Sequence, residues 1–285
     1  MKFIWKHALA RLTASLTAQR YLQQTIDTLF YFTGVGAGGS PDSSGEACLL
    51  DTVLGDDQSS LPQKCVFDVG ANNGGFIKML MKNLDGRKVA IHAFEPGRVA
   101  FDALAANTIG IPDLKLNNFG LGAASGEMTL YYSEPGSALA SLTKRRLDHF
   151  RKHSVEPQTP KSETVRIETI DAYCRENSIQ TIDLLKIDVE GHELDVLAGA
   201  KDTLHSGIVR FLTFEFGGCN IDTRTFFQDY WYFFKQFPGC EIFRMTPSNY
   251  LLPIRKYLET MEQFRASNFL VKLPPLRRVA GTYNL

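Results

Sequence analysis

Residues 65–76 read Cys-Val-Phe-Asp-Val-Gly-Ala-Asn-Asn-Gly-Gly-Phe, and this stretch sets the class of fold. An apolar run broken only by Asp68 is a buried strand, and the glycine turn from Gly70 leads into GFIKMLMKNL, where Phe76, Leu80 and Leu84 recur at helical spacing. VAIHAFEP at 89–96 is the next strand and VAFDALAANT at 99–108 the next helix. Short β-rich runs alternating with amphipathic helices predict a mostly parallel sheet covered on both faces.

The same alternation continues to the end of the chain. LKLNNFGLG (114–122), EMTLYYS (127–133), ETVRIET (163–169), VRFLTFEFG (209–217), CEIFRMTP (240–247) and NFLVKL (268–273) read as strands, and TIDLLKIDVEG (181–191) as the most apolar, central one. Helices are expected over 170–177, 193–204 and 225–237. On the last, Phe226, Tyr230, Phe233, Phe234 and Phe237 share the spacing of a core-facing stripe, which leaves Phe227 and Trp231 as candidates for a substrate wall.

Upstream of this α/β body, residues 1–45 divide into a helical segment and a glycine-rich connection, so the domain proper is expected over 46–285. Leu12, Leu16, Leu22, Ile26, Leu29 and Phe30 recur at helical intervals, and docking of that face on the chain's own core is expected. The basic residues Lys2, Lys6, Arg11 and Arg20 also allow weak peripheral association with a membrane surface. GVGAGGSPDSSGE at 34–46 has neither a preceding buried strand nor a following Lys-Ser/Thr, so it reads as a flexible connection and not as a phosphate loop.

Composition removes several classes of function. The 285 residues carry 31 Lys+Arg against 31 Asp+Glu, a formal charge of +0, where a nucleic-acid binder would present a net basic field. The five cysteines are widely spaced without any metal-ligand pattern, which predicts no bound metal and suits a reducing, cytoplasmic setting. No run reaches the ~18 apolar residues of a membrane span, and Lys6, His7 and Arg11 interrupt what would be the apolar core of a signal peptide.

Chemistry-bearing residues gather where strands end. Asp68, Gly70, Ala71, Asn72 and Gly74 close the first strand and open a helix, the edge at which open α/β sheets bind ligands. The spacing D-x-G-x-x-x-G lacks the G-x-G-x-x-G of a pyrophosphate site, which counts against NAD, and Asp68 favours a cation. Glu95, followed by Pro96, ends the second strand, where a carboxylate accepts hydrogen bonds from both ribose hydroxyls. A nucleoside bearing a positive group, S-adenosylmethionine, satisfies both features. The central strand then closes on Asp188, Glu190, His192 and Glu193, with Glu193 read as a helix-start acid.

FDVGANNGGF, AFEP, NNFGLGAASGE and LLKIDVEGHELDVLAGA together resemble the FkbM family of S-adenosylmethionine-dependent methyltransferases over roughly residues 45–272. The resemblance implies the class I methyltransferase (Rossmann-like) three-layer fold with a seven-stranded, mostly parallel sheet whose last strand is antiparallel. It further implies methyl transfer, usually to a hydroxyl of a sugar, glycan or natural product. By residue, Asp68, Gly70, Ala71, Asn72, Gly74 and Phe76 match the family's cofactor loop, Glu95 and Pro96 its ribose turn, and Asn118 the adenine side. Asp188, Glu190, Gly191 and His192 match the motif beside the transferred methyl. Gly45 and Glu46 resemble an upstream element whose role the resemblance does not supply.

On this reading Asp188 positions the reactants and His192 is the expected base, its imidazole being matched to neutral pH. The basic run KRRLDHFRKH at 144–153 suggests a phosphate-bearing acceptor. A scaffold that binds the cofactor without turning it over is the alternative from another class.

Overall fold

The computed structural model describes residues 10, 12–39, 44–49, 52–53, 55, 63–84, 86–147 and 161–274. Among these the strands are β1 (Lys64–Val69), β2 (Val89–Phe94), β3 (Leu114–Asn117), β4 (Gly120–Leu121), β5 (Gly126–Tyr132), β6 (Lys161–Glu168), β7 (Ile182–Ile187), β8 (Val209–Phe216), β9 (Glu241–Met245), β10 (Leu251–Ile254) and β11 (Ser267–Lys272). The longer helices are α1 (Leu16–Phe32), α2 (Gly75–Lys82), α3 (Arg98–Asn107), α4 (Ile170–Glu176), α5 (Glu193–Ala198), α6 (Lys201–His205), α7 (Cys219–Thr223) and α8 (Phe227–Phe234).

The main sheet has the order β10-β9-β11-β8-β7-β1-β2-β3. The run from β8 to β3 is parallel throughout, and β11 is antiparallel to both β8 and β9. This is the doubly wound class I order with one strand more than the seven expected. The addition is β10, paired antiparallel with β9. Its sequence Leu-Leu-Pro-Ile escapes a pattern search because Pro253 has no N–H to give a ladder, a residue that fits an edge strand and not the interior of a central one.

Both faces of the sheet are dry. Phe67, Leu185, Leu212 and Phe214 pack under α4, α5, α6 and α8 on one side, and Val66, Ile91, Leu184 and Phe211 pack under α2 and α3 on the other. The helix expected over 193–204 is divided at Gly199, where a Cβ would run into the carbonyl of Gly122. Phe227 and Trp231, expected on a substrate wall, belong to the core beside Tyr230 and Phe234, while Phe226 is the exposed member. The helix starts at Phe227 and turns its dense aromatic face onto Phe214 and Phe269.

Two further corrections shape the site. β4, β5 and β6 leave the main sheet and form a separate three-stranded one with its own small core of Leu130, Val165 and Ile167. And α1 does not dock its apolar face. No residue of that helix is buried, with Leu29 and Phe32 at 60% and 65% exposure; its ties to the body run through Asp27 to Arg265, at 2.7 Å, and through the Thr33 carbonyl, which accepts from Arg244.

The glycine-rich segment is seated instead of flexible over the residues described. Val35 and Ala37 are buried, the Gly38 N–H donates to the Ala266 carbonyl at 2.9 Å, and Gly45, at φ +82°, lies so close to Thr246 that a Cβ would overlap its carbonyl. Residues 40–43 lie outside the described residues. No helix among the described residues is long and apolar enough to cross a membrane, and Cys65, Cys174, Cys219 and Cys240 are free thiols.

Candidate active site

Parallel strands bring their carboxyl ends to one edge, and the polar residues of the sequence motifs collect there. Two adjoining cavities open along it. The larger, about 600 Å³, is walled by Asp68, Gly70–Asn72 and Phe76 on one side and by Glu215 and Asn268 on the other, with Lys186, Asp188 and Glu190 between. The smaller, about 70 Å³, runs under the three-stranded sheet, between Glu95, Pro96 and Gly120 and the residues Leu130, Leu142, Ile167 and His192. Gly70, Asn72, Asp188 and Glu190 line both.

The loop after β1 is fixed by backbone proximity. Gly70, at φ +82°, sits where any Cβ would collide with the carbonyl oxygen of Asp188, so the glycine is required for β1 and β7 to end side by side. Its N–H and that of Ala71 both donate to the Phe94 carbonyl at 3.0 Å. Glu95 then braces the same loop: one carboxylate oxygen accepts from Asn72 N–H at 2.9 Å and the other from Gly97 N–H at 2.8 Å. Each oxygen retains a lone pair for a diol. Burial pushes the Glu95 carboxyl up to about 7, against the pull of those two N–H groups.

Asp68 is wholly buried, and neither carboxylate oxygen has a hydrogen-bond partner among the described residues. A buried acceptor left open toward a cavity is costly unless a ligand donor completes it. Its neighbour is Lys186, 3.6 Å away, whose Nζ also donates to Asp188 at 3.1 Å and stands 5.4 Å from the centre of the Phe76 ring. Burial opposes the ammonium, but the carboxylates of Asp188, Asp68 and Glu46 outweigh it and hold Lys186 protonated. Burial likewise raises Asp68 and Glu46 above the ordinary carboxylate range, with Lys186 pulling the other way.

Beyond β7 the chain turns sharply. Glu190 takes φ +55° and Gly191 φ +103°, and a left-handed glutamate is backbone strain of the kind active sites hold. Glu193 makes the turn possible. Its wholly buried carboxylate accepts from Val189 N–H at 3.1 Å, Gly191 N–H at 3.0 Å and the Tyr230 hydroxyl at 3.0 Å, so it is a clamp and not merely a helix-start acid.

Glu190 is paired with Arg145, which also reaches Asp222 at 3.7 Å. Burial nevertheless raises Glu190 to about 8, aided by Asp188 and opposed by Arg145. The Ser141 hydroxyl donates to the Glu190 carbonyl at 2.8 Å. His192 has both ring nitrogens engaged, Nδ1 with Asp195 at 2.7 Å and Nε2 with the Thr143 hydroxyl at 2.9 Å.

The structure therefore brings Asp68, Gly70, Ala71, Asn72, Phe76, Asp188 and Glu190 to the large cavity and Glu95, Pro96 and His192 to the small one. Gly74 stands behind them, at φ +85° as the N-cap of α2, where a Cβ would press on Leu104 and Thr108. Asn118 lines neither cavity; its amide donates to the carbonyls of Glu95 at 3.0 Å and Pro96 at 3.1 Å, bracing the turn after β2 from outside. From the basic run, Arg145 faces inward as described, and residues 148–153 lie outside the described residues.

Three residues of the site carry no sequence expectation, Lys186, Glu215 and Asn268, and Arg145 carried one only as a member of the basic run at 144–153. Lys186 alone had a signal, because a lysine inside the most apolar strand needs a buried counter-charge. Glu46 finds its role here too, with its carboxylate at the cavity wall and an oxygen accepting from Ser44 Oγ at 2.8 Å. No group of three or more His, Cys, Asp or Glu side chains arranged to hold a metal ion occurs among the described residues.

Comparison with known proteins bears on what these cavities serve. Residues 68–237 match the methyltransferase FkbM domain. Over 160 residues the chain is 32% identical to the 31-O-demethyl-FK506 methyltransferase FkbM of Streptomyces tacrolimicus, a match covering 50% of this chain and 61% of that protein. Over 142 residues it is 30% identical to the hexuronic acid methyltransferase AglP of Haloferax volcanii, covering 50% and 52%. The chain thus spans less than two thirds of the length of either relative. Among solved structures, the methyltransferase FkbM from Methylobacillus flagellatus superposes with a TM-score of 0.45 at 14% identity, over 73% of this chain and 44% of that one.

Proposed function

Since the chain belongs to the FkbM methyltransferase family, we propose that it uses S-adenosylmethionine to methylate a hydroxyl of a sugar, glycan or natural product. The observation that carries this reading is the pairing of two unlike carboxylates on adjacent strand ends: Asp68, buried with both oxygens open, and Glu95, with a lone pair spare on each oxygen. The first suits an ammonium and the second a ribose diol. Gly70, Ala71, Asn72 and Phe76 would hold the body of the cofactor between them, and Pro96 would face its nucleoside end.

When bound, S-adenosylmethionine supplies an electrophilic methyl, whose transfer forms a C–O bond to the acceptor while the C–S bond breaks and leaves its electron pair on sulfur. The protein's share of the work is alignment and proton removal. Asp188, held at 3.1 Å by Lys186, orients the acceptor hydroxyl. Glu190 takes the proton: it lines both cavities, and a carboxyl raised to about 8 is matched to that task near neutral pH. His192, with both ring nitrogens committed, holds the loop carrying Thr143 in place. The negative groups bind the cationic reactant yet lie beside Lys186, which tempers excess stabilisation of its ground-state charge.

The test is transfer of radiolabelled methyl from S-adenosylmethionine into a fractionated cell extract. Label is expected in a polyhydroxylated, base-stable fraction with the parent and not with Glu190→Gln. Label appearing equally with both proteins would remove Glu190 from the reaction, and no label with a protein that binds S-adenosylhomocysteine would favour the silent scaffold.

A further inference from the structure

Helix α1 is attached to the body by its polar edge. Ala18, Leu22, Ile26, Leu29 and Phe32 recur at intervals of three and four and so share one face, and the last four are all exposed. The side chains that tie the helix down lie elsewhere on it. Gln23 donates to Asp27 at 3.0 Å, Asp27 accepts from Arg265, and the same guanidinium stands 5.5 Å from the centre of the Phe30 ring. At about 3.6 residues per turn Asp27 falls nearly opposite Leu22 and Leu29, so the polar edge holds the body and the apolar face is turned outward. A surface helix of a globular protein does the reverse, and a contiguous apolar face left toward water marks a contact with something else.

Charge indicates what covers that face. Residues 1–20 hold Lys2, Lys6, Arg11 and Arg20 and no Asp or Glu, and the first acid of the chain, Asp27, is already paired with Arg265. Two copies packed helix to helix would bring cations together with no carboxylate of the segment left to answer them. An anionic lipid surface answers both properties at once, taking the apolar side chains at the acyl boundary and the cations at the headgroups. Tyr21, exposed beside the same face, suits the boundary between the two.

The helix is also rooted at the large cavity. Its anchor Arg265 lines that cavity, as do Gly38 and Gly39 shortly beyond the helix. We therefore infer that α1 lies on the surface of an anionic membrane, and that the acceptor reaching the cavity is membrane-borne, its hydroxyl belonging to a polar head carried on a lipid. The acceptor clause rests on the methyltransferase reading; the docking clause does not.

Flotation of the full chain with vesicles tests the docking. The fraction bound to vesicles of equal parts phosphatidylcholine and phosphatidylglycerol is expected to exceed that bound to phosphatidylcholine alone at least fivefold, and to fall as salt is raised. Leu22→Ser/Ile26→Ser/Leu29→Ser should lower it at least tenfold and Arg20→Glu at least threefold, with thermal unfolding and S-adenosylhomocysteine affinity near parental, because no residue of the helix is buried. No flotation of the parent, equal binding to neutral vesicles, or binding retained by both variants would overturn the docking, as would a parental dimer that the triple variant dissolves. Labelled methyl from S-adenosylmethionine should enter the chloroform–methanol phase of a membrane fraction at least fivefold more with the parent than with the triple variant, and label confined to water-soluble material would overturn the lipid-borne acceptor. If the parent bound vesicles but no S-adenosylhomocysteine, the methyltransferase reading would fall and the docking would stand.

Discussion

Asp68 and Lys186 occupy paired positions on the neighbouring strands β1 and β7, 3.6 Å apart between carboxylate and ammonium, both within the sheet and nearly inaccessible to water. The ion pair links the loop after β1 to the motif that ends in Asp188. Removing one partner of a buried pair leaves the other charge without compensation, which costs about 3–5 kcal/mol. Lys186→Met should lose stability on that scale by urea denaturation, and Lys186→Met/Asp68→Asn should recover part of it. An additive double variant would show that the two charges do not interact.

Gly70 and Gly75 separate backbone need from mere composition. Gly70→Ala places a methyl on the Asp188 carbonyl at a positive φ, whereas a Cβ at Gly75 meets only the Asn73 amide oxygen, at 3.7 Å. The first substitution should abolish S-adenosylhomocysteine binding or folding. The second should leave the midpoint of thermal unfolding within about 2 °C, helix propensity favouring alanine. Calorimetry and a melting curve on both proteins decide it.

Tyr230→Phe removes one of three donors from the Glu193 carboxylate. Loss of a buried hydrogen bond to a charged or polar acceptor costs about 1–3 kcal/mol. Because Glu193 shapes the turn carrying Glu190, turnover should fall at least fivefold while S-adenosylhomocysteine affinity changes little. A proportional loss of both would place Tyr230 in the cofactor site itself.

The raised carboxyls set the pH response. Glu95 goes from the ordinary 4.5 to about 7 on folding, and Glu190 from 4.5 to about 8. Between those values the folded state binds more protons than the unfolded, so stability is fullest below about pH 4.5 for these two groups and is lost as pH rises through 7 and 8. For Glu95 the loss is roughly 3 kcal/mol at most. The ligand-free protein should therefore show a falling melting temperature from pH 6 to 8, and a ligand diol that favours the ionised Glu95 should bind more tightly over the same range. Flat melting temperatures in the parent, or a slope unchanged in Glu95→Gln, would contradict the assignment.

The sequence was most readable where one rule acted alone. Strand-turn-helix at 65–84 and the acid after β2 follow from periodicity and strand-end chemistry, and both stand in the structure as read. The α1 helix was readable as a helix, but which face it would bury is a tertiary property, and the structure ties it through Asp27 with Leu29 and Phe32 left exposed. The separation of β4, β5 and β6 into their own sheet was equally hidden, because alternation along a strand does not say which sheet receives it. In the site, Asp188 and Glu190 announced themselves at a strand end, while Glu215 and Asn268 looked like ordinary members of apolar strands. Glu215 reaches the site as the end of a parallel strand, and Asn268 joins it only because β11 runs antiparallel and brings its first residues to the edge where β8 ends. Arg145 sat in a basic run whose usual fate is solvent, and its burial comes from Glu190 and Asp222, 45 and 77 positions away.

The central claim is that Asp68 and Glu95 together bind the cofactor while Asp188 serves the acceptor. Calorimetric titration with S-adenosylhomocysteine of the parent, Asp68→Ala, Glu95→Ala and Asp188→Ala tests it most directly. The account predicts one site in the parent, at least tenfold weaker binding in the first two variants and near-parental affinity in the third. Parental affinity in all three, or no binding to the parent, would contradict it.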